Sequence, residues 1–334
     1  MKRLLALLLT LTMMIGILVG CAASGKTDEA ATEQQSSAAE SEKAEEAKTD
    51  KIGLTWEMAT ELFAECIKIM QKYCDEKGIE LVAIDSADVT TRVAAIENLV
   101  TAGCNAIIVH INDPVALEAP LKAAREAGVK IFCYDSDIES VSDAYYGCEN
   151  HDYGYQIALN ACNWINENYA SDEEVQVAIT CKDIRDFLVI RKGGIYDCLA
   201  ENCPNAKVVI ECTATNAADG VTAGETILSA YPDVKVVIGV NDGGPLGCAE
   251  AYTAAGIDPE GIGMFGGDAS TAALEAIAAG GMFRGTVRTH MKDVVNSWID
   301  ICCQLIDGEQ LETTKFYFPM TGITEENLSE FYQG

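Results

Sequence analysis

Carboxylate, amide and aromatic side chains follow many of the short apolar runs in this 334-residue sequence. The residues concerned are Trp56-Glu57, Asp85, His110, Asp135, Cys181-Lys182-Asp183, Glu211, Asn241-Asp242, Gly267-Asp268 and Thr289-His290. Carboxylates and amides can hydrogen-bond pairs of hydroxyls, and an aromatic face can pack against sugar C–H groups. If these residues meet at adjacent strand ends, they form a cleft suited to a polyhydroxylated molecule.

Sequence motifs for catalysis and metal binding are missing. There is no Gly-x-Ser-x-Gly elbow and no His-Glu-x-x-His, and the glycine-rich stretch 239–247 lacks the Lys-Ser/Thr of a phosphate-binding loop. The three histidines, His110, His151 and His290, are predicted on separate strand ends. With 23 Lys+Arg against 52 Asp+Glu, the formal charge of −29 would repel a phosphate backbone. We therefore expect no enzyme, no cofactor, no metal site and no nucleic-acid partner.

The elements that must position these residues repeat one pattern from Lys51 onward. A short apolar run, a polar tip, an amphipathic helix and a glycine follow one another; the first helix has apolar residues at helical spacing and ends at Gly78. Asp113 before Pro114 is predicted to cap a further helix. The predicted strands are 51–55, 79–84, 106–109, 129–133, 175–180, 207–210, 235–240, 262–265 and 285–289. Strands alternating with helices predict parallel sheets with helices on both faces, in two lobes.

The N-terminal segment has the pattern of an export signal. Lys2 and Arg3 precede an apolar run that ends in Leu18-Val19-Gly20-Cys21. This ending resembles the lipobox of bacterial lipoproteins, which implies cleavage after residue 20 and lipid on Cys21; an uncleaved anchor is the alternative. Residues 22–50 contain no aromatic residue and no Val, Ile, Leu or Met, so we expect a disordered tether. The predicted location is the extracellular face of the cytoplasmic membrane.

Many cysteines in an exported protein would normally suggest a disulfide framework, but two features of this sequence argue against one. There are fourteen, and thirteen remain if Cys21 is acylated, an odd number. Most lie inside apolar runs such as Ile131-Phe132-Cys133, where cysteine acts as a small buried hydrophobe. We predict mostly free thiols and a reducing habitat.

Several segments together resemble the type I periplasmic binding proteins of the ribose-binding class. They are Ile52-Gly53-Leu54-Thr55, Leu81-Val82-Ala83-Ile84-Asp85, Ala106-Ile107-Ile108-Val109-His110, Val129-Lys130-Ile131-Phe132-Cys133-Tyr134-Asp135, Val240-Asn241-Asp242 and Phe265-Gly266-Gly267-Asp268. The resemblance runs from about Lys51 to the C-terminus. It implies an α/β fold of two doubly wound parallel-sheet lobes joined by a three-segment hinge near Glu149, Thr289 and Phe318. The implied lobes are 51–149 with 290–319, and 150–289 with 320–334.

The resemblance also implies a function. Members of this family trap a ligand between two lobes and deliver sugars or related molecules to the permease and ATPase of an ABC importer. We therefore expect a small sugar or sugar-like polyol as ligand. The alternative is a ligand sensor whose closed form is read by a membrane kinase or chemoreceptor; an exported α/β enzyme would need a nucleophile and base that the strand ends lack.

Ligand contacts carry over from the family position by position. They are Trp56, Thr60, Phe63, His110 and Asp135 in the first lobe, Glu149 and Asn150 at the first crossing, and Arg191, Asn241, Asp268 and Thr289 in the second lobe. His110 and Thr289 replace the Asn and Gln that are common in the family, which leaves the ligand's identity open.

Five of these assignments have a simpler structural alternative, and for His110 it is a satisfied, partly buried histidine. Behind Asp135 no helix begins at once, so a helix-cap role is less natural there. Trp56 could be a core residue and Arg191 a surface ion-pair partner. Asp268 could cap the next helix, and Asn241 could be a turn residue.

Overall fold

The computed structural model describes residues 49–58, 61–183 and 186–333. The predicted signal peptide, Cys21, the tether up to residue 48 and Thr60 lie outside these residues. Within them, no helix is both long enough and apolar enough to span a membrane.

The described chain builds two six-stranded sheets. The first contains, in spatial order, β2 (Glu80–Asp85), β1 (Lys51–Trp56), β3 (Ala106–His110), β4 (Lys130–Tyr134), β5 (Ala144–Gly147) and β11 (Lys315–Tyr317), all parallel. The second contains β7 (Ala206–Thr213), β6 (Val175–Cys181), β8 (Val236–Gly239), β9 (Gly263–Phe265), β10 (Phe283–Thr289) and β12 (Met320–Thr324). Only the β10–β12 pair is antiparallel. The predicted α/β class with two largely parallel sheets is confirmed.

Helices cover both faces of each sheet, as a parallel sheet requires. Those on the first sheet are α1 (Glu61–Lys77) and α9 (Met291–Ile306) on one face, and α2 (Val89–Thr101) and α3 (Pro114–Glu126) on the other. Those on the second sheet are α4 (Asn150–Asn168) and α5 (Asp186–Asn202) on one face, and α6 (Ala217–Ala230), α7 (Gly243–Ala254) and α8 (Thr271–Ala278) on the other.

Local sequence explains the ends of these elements. In β1 every residue after Lys51 is buried, which fits a strand covered on both faces. Asp113 accepts a hydrogen bond from the Ala116 amide at 3.0 Å and Pro114 is the first helical residue of α3, so the predicted cap is confirmed. Gly78 has a φ of 71°, the left-handed conformation expected after a helix.

The chain passes three times between the two sheets. It leaves the first sheet after β5, returns through His290 into α9, and crosses again between β11 and β12. The crossing segments are hydrogen-bonded to one another: Phe318 N donates to Gly147 O at 3.0 Å, and His290 N donates to Pro319 O at 3.0 Å. Consequently the carboxyl ends of both sets of parallel strands lie beside the crossings.

Candidate ligand-binding site

His110 and Asp135 form the polar end of the first sheet. They follow or end the neighbouring strands β3 and β4, and His110 Nε2 lies 3.6 Å from Asp135 Oδ2. Asp135 is exposed and has a φ of 76°, which the Tyr145 hydroxyl supports by donating to its carbonyl at 3.2 Å. The Phe63 ring meets the His110 ring edge-on at 6.0 Å. This end therefore offers a carboxylate, an imidazole and an aromatic surface.

Trp56 lies beneath this end, within the core. It has no solvent-accessible surface, and its ring stacks on Phe63 at 4.8 Å. Tyr134 and Trp298 meet the Trp56 ring edge-on at 6.0 and 6.1 Å. The structure thus places Trp56 where the core alternative expects it, and Phe63, which is half-buried, is the outer aromatic ring of the pair.

Arg191 is held rigidly at the end of the second sheet. Its guanidinium stacks on the Tyr153 ring at 4.1 Å, Nη1 donates to Val240 O at 2.9 Å, and Nη2 donates to Asn150 Oδ1 at 2.9 Å. Nε is buried and has no hydrogen-bond partner among the described residues. No carboxylate there lies within ion-pair distance of Arg191, so the surface ion-pair alternative is wrong for this structure.

Asp268 follows β9, and its carboxylate points toward the Tyr153 ring on which Arg191 stacks. The Tyr153 hydroxyl donates to Asp268 Oδ1 at 3.2 Å. Burial raises the pKa of the Asp268 carboxyl above its ordinary value, against the Arg191 charge and the Tyr153 hydroxyl, which lower it, although the residue as a whole keeps solvent contact. The helix-cap alternative is not what the structure has, because Ser270 caps α8.

Asn241 is fixed by one end of its amide only. Nδ2 donates to Thr215 O at 2.8 Å, while Oδ1 is buried without a partner among the described residues. Asn241, Arg191 and Asp268 share the wall of a cavity of about 420 Å³. The rest of that wall consists of Lys182, Phe187, Leu188 and Thr215.

Thr289 lines a different cavity, of about 430 Å³, which also touches Asp268. Its wall also includes Leu62 and Glu65 of α1 and Lys292 of α9. This cavity therefore lies between helices α1 and α9 and the end of the second sheet. Asp268 therefore borders both cavities, whereas Thr289 and Asn241 do not share one.

Residues at the first crossing connect the two ends. Glu149 caps α4 by accepting from the Asp152 amide, and Asn150 holds Arg191. Burial raises the pKa of the Cys148 thiol to about 12; the Arg191 charge lowers it, and Glu149, Asp135 and Asp268 raise it further. The cavity that Asp268 and Thr289 share with Leu62 and Glu65 of α1 has walls from both sheets' elements, so the Asp268 end of the second sheet opens toward the first.

Sequence reasoning missed two residues that support this site. Tyr153, one turn into α4, carries both the Arg191 stack and the hydrogen bond to Asp268. Asp242 was recognised only as a strand-end residue; its buried carboxylate binds the corner that carries Asp268. Neither has a motif of its own, since each acts through a neighbour. Among the described residues, no group of three or more His, Cys, Asp or Glu is arranged to hold a metal ion.

Known proteins with the same organisation can now be compared. A protein of Rhizobium meliloti named for rhizopine binding is 28% identical over 266 residues, covering 76% of this chain and 82% of its own. The ribose import binding protein of Bacillus subtilis is 22% identical over 216 residues, covering 64% and 68%. An ABC transporter solute-binding protein from Actinobacillus succinogenes, solved with bound D-allose, superposes with a TM-score of 0.69 at 23% identity, covering 85% of this chain and all of that one. The periplasmic binding protein domain matches residues 52–310, and the chain belongs to that family.

Proposed function

We propose that this protein captures a small sugar or sugar-like polyol between its two lobes and hands it to the permease and ATPase of an ABC importer. The observation that carries the proposal is a polar end on each sheet, His110–Asp135 on one and Arg191–Asn241–Asp268 on the other, with Asp268 also in a cavity that residues of α1 line. The names of the relatives from Rhizobium and Bacillus support a small-molecule import role.

The donors and acceptors suit a neutral, hydroxyl-rich ligand. A carboxylate accepts from two adjacent hydroxyls, an arginine donates to several, and an amide does both. Nη1 and Nη2 of Arg191 already donate to Val240 O and Asn150 Oδ1. These two bonds hold the positive charge of the guanidinium in a fixed position in the site. Phe63 adds an apolar ring beside His110 for the C–H face of a sugar.

Unpaired polar atoms on both sides support a ligand that contacts both ends. His110 Nδ1, Arg191 Nε and Asn241 Oδ1 are all shielded from solvent and lack hydrogen-bond partners among the described residues. A buried polar atom without a partner costs about 1–3 kcal/mol, so a rearrangement that supplies partners is favoured. Closure over a ligand is such a rearrangement. A ligand that touches both ends only in the closed form shifts the population toward that form.

Isothermal titration with pentoses, hexoses, inositols and furanosyl compounds tests this proposal. We expect one class to bind at micromolar concentrations or below, and Asp268→Asn to weaken that binding at least about tenfold because a charged acceptor is lost. The matched control is Asp233→Asn, a substitution at an exposed carboxylate in the loop before β8. Binding of amino acids, nucleosides or metals with no response to any sugar would refute the ligand class.

Membrane attachment through lipid on Cys21 completes the proposed role. A diacylglyceryl group places two acyl chains on the protein, enough for stable anchoring where one chain is not. In cells fed a radiolabelled fatty acid, the native protein should carry label and enter the detergent phase on phase separation. Cys21→Ser should carry none; equal labelling of both would refute the assignment.

A further inference from the structure

The corner that carries Asp268 has an unusual backbone. Asp268 has a φ of 118° and Ala269 a φ of 49°, two consecutive residues in a region that non-glycine residues rarely occupy. The residues before them, Gly266 and Gly267, pack so closely that an added Cβ would come within 2.7 Å of Asp242 Cα and of the Tyr153 ring respectively. Such a conformation persists only where surrounding contacts hold it.

In this corner, the backbone amides of residues 268–270 each donate to a specific acceptor. Asp268 N donates to Val287 O at 2.9 Å and Ala269 N donates to Thr286 Oγ1 at 3.0 Å. Ser270 N donates to Asp242 Oδ2 at 2.9 Å. Two of these three acceptors thus belong to the side chains of Thr286 and Asp242.

Asp242 joins those acceptors into one network. Its Oδ1 accepts from the Thr286 hydroxyl at 2.6 Å, and its Oδ2 accepts from the Ser270 hydroxyl at 2.8 Å as well as from the Ser270 amide. Asp242 N also donates to Gly267 O at 2.7 Å. Asp242 therefore holds the corner on both sides of Asp268, through its backbone amide at Gly267 and through its side chain at Ser270 and Thr286.

This carboxylate is isolated from positive charge. Asp242 is 2% exposed, and no lysine, arginine or histidine of the described chain lies within ion-pair distance of it. The titratable groups that face it are Asp268 from the same corner and Tyr153 from α4. The nearby guanidinium of Arg191 stacks on the Tyr153 ring and acts on Asp268. A buried carboxylate without a positively charged partner destabilises the folded state. The presence of Asp242 at this position therefore points to a role other than stability.

We propose that Asp242 is a positioning residue for Asp268: through Ser270 and Thr286, its ionised carboxylate holds the left-handed corner so that the Asp268 carboxylate points into the binding cleft. The consequence for ligand affinity rests on the proposed function. The bracing itself does not, because it is a property of the protein without ligand.

Protonation of Asp242 weakens the brace. The ionised carboxylate accepts three hydrogen bonds, and a proton on one oxygen occupies a lone pair that a donor would use. Burial raises the pKa of Asp242 to about 7, so its charge changes near neutral pH. Ligand affinity therefore falls as the pH drops below about 7, and an asparagine at this position removes that part of the pH dependence.

Amide hydrogen exchange of the ligand-free protein tests the brace directly. At about pH 8, the Ser270 amide should exchange about tenfold faster in Asp242→Asn than in the native chain, since its bond to a charged acceptor is lost. The Ala269 amide should also exchange faster, because its acceptor Thr286 loses the carboxylate that orients its hydroxyl. Thr286→Val, which removes the other acceptor at nearly equal volume, should accelerate Ala269 in the same way. Asp233→Asn is the control and should change neither. Unchanged exchange at this corner in both Asp242→Asn and Thr286→Val would overturn the proposal.

Affinity at two pH values separates positioning from a general structural role. With the tightest ligand of the sugar panel, Asp242→Asn should bind about tenfold more weakly than the native chain at about pH 8. At about pH 5.5 the two should agree within about twofold, because native Asp242 is then protonated. A tenfold gap that persists at both pH values would refute the role of the charge. If no sugar binds the native chain, the proposed function fails, while the exchange measurement still decides the brace.

Discussion

At the residue scale, strained backbone marks both candidate ligand carboxylates. In the described chain, the non-glycine residues with positive φ are Asp135, Asp268 and Ala269. Each such residue costs on the order of 1–3 kcal/mol, and such strain tends to persist at functional sites. Asp135 follows a strand of the first sheet and Asp268 follows a strand of the second. The polar end of each sheet therefore includes a strained residue.

Substitutions at Asp135 should separate its charge from its backbone. Asp135→Asn keeps a residue type that tolerates the left-handed region, so the protein should stay as stable as the native chain while affinity for the sugar falls at least about tenfold. Asp135→Gly should also lose affinity, without backbone strain. Titration calorimetry and thermal unfolding measure the two effects. Retained affinity in both variants would remove Asp135 from the site.

Asp242 should give the stability of the protein a specific pH dependence. Because burial raises its pKa to about 7 in the folded state, the folded protein keeps a proton that the unfolded chain loses above about pH 4. The contribution of Asp242 to stability is therefore full below about pH 4 and is lost as the pH rises through 7. Asp242→Asn does not titrate, so the free energy of unfolding of the native chain minus that of the variant should fall by up to roughly 4 kcal/mol between about pH 4 and pH 8. Urea unfolding at both pH values measures it; an equal difference at each would contradict the raised pKa.

At the element scale, two helices must touch closely for Arg191 to be placed. Gly154 of α4 and Gly194 of α5 face each other's backbone: a Cβ on Gly154 would overlap the Arg191 carbonyl, and one on Gly194 would overlap the His151 carbonyl. This contact sets Arg191 over the Tyr153 ring and within reach of Asn150. Small residues at a helix crossing thus position a binding side chain.

The neighbouring glycines Gly193 and Gly194 provide a matched pair of substitutions. Gly194→Ala should force α4 and α5 apart, destabilise the protein by about 1–3 kcal/mol and weaken sugar binding, since Arg191 moves with its helix. Gly193→Ala meets no atom within 4 Å and should be neutral or stabilise α5 by up to about 1 kcal/mol. Thermal unfolding and calorimetry on both variants check this. Equal effects from the two substitutions would show that the crossing does not depend on close contact.

Apolar runs and helical periodicity predicted most of the strands and missed the three that lie at or next to the crossings. Strand β1 is a short apolar run and helix α1 has apolar residues at a period of 3.6, and both elements are present. The segments β5, β11 and β12 have only 3–5 residues each and lie at or next to the crossings, where pairing with distant strands, not local pattern, makes them strands. For the same reason the sequence suggested Asp268 but could not reveal that Tyr153 and Asp242 support it.

At the scale of the whole molecule, buried thiols are spread through the cores of both sheets. The described chain contains thirteen cysteines without a disulfide, ten of them buried. Burial raises the pKa of Cys133 and of Cys248 to about 12, so neither forms the reactive thiolate near neutral pH.

Reaction with a thiol-specific dye should therefore be slow in the folded state. In a Cys21→Ser chain, no more than the three half-buried cysteines, Cys148, Cys212 and Cys303, should react within minutes at about pH 7.5. All thirteen should react once guanidinium unfolds the chain. A total well below thirteen after unfolding without reductant would mean that disulfides form in the isolated protein.

Closure is the largest-scale consequence of the topology. Three crossings are tied to one another by backbone hydrogen bonds, such as Phe318 to Gly147 and His290 to Pro319, and they join two separately cored sheets. On the proposed function, we expect the two sheets to rotate about these crossings. The shielded, unpaired atoms of His110, Arg191 and Asn241 favour a rotation that supplies partners. Because a ligand shifts such an equilibrium only by its differential affinity, a variant that lacks one polar end should bind weakly and close little.

Small-angle scattering with and without sugar should detect this rotation. The radius of gyration of the native chain should fall when a binding sugar is added and stay constant with a sugar that calorimetry scores as silent. Asp135→Asn and Asp268→Asn each leave one polar end intact and should bind at least about tenfold more weakly, so at a free sugar concentration of about three times the native Kd both should contract at most about a third as much as the native chain. Asp233→Asn should contract like the native chain. Full contraction in both half-site variants at that concentration would mean that the ligand closes the lobes through contacts other than these two carboxylates. An unchanged radius in the native chain at saturation would mean that the sheets do not rotate on binding.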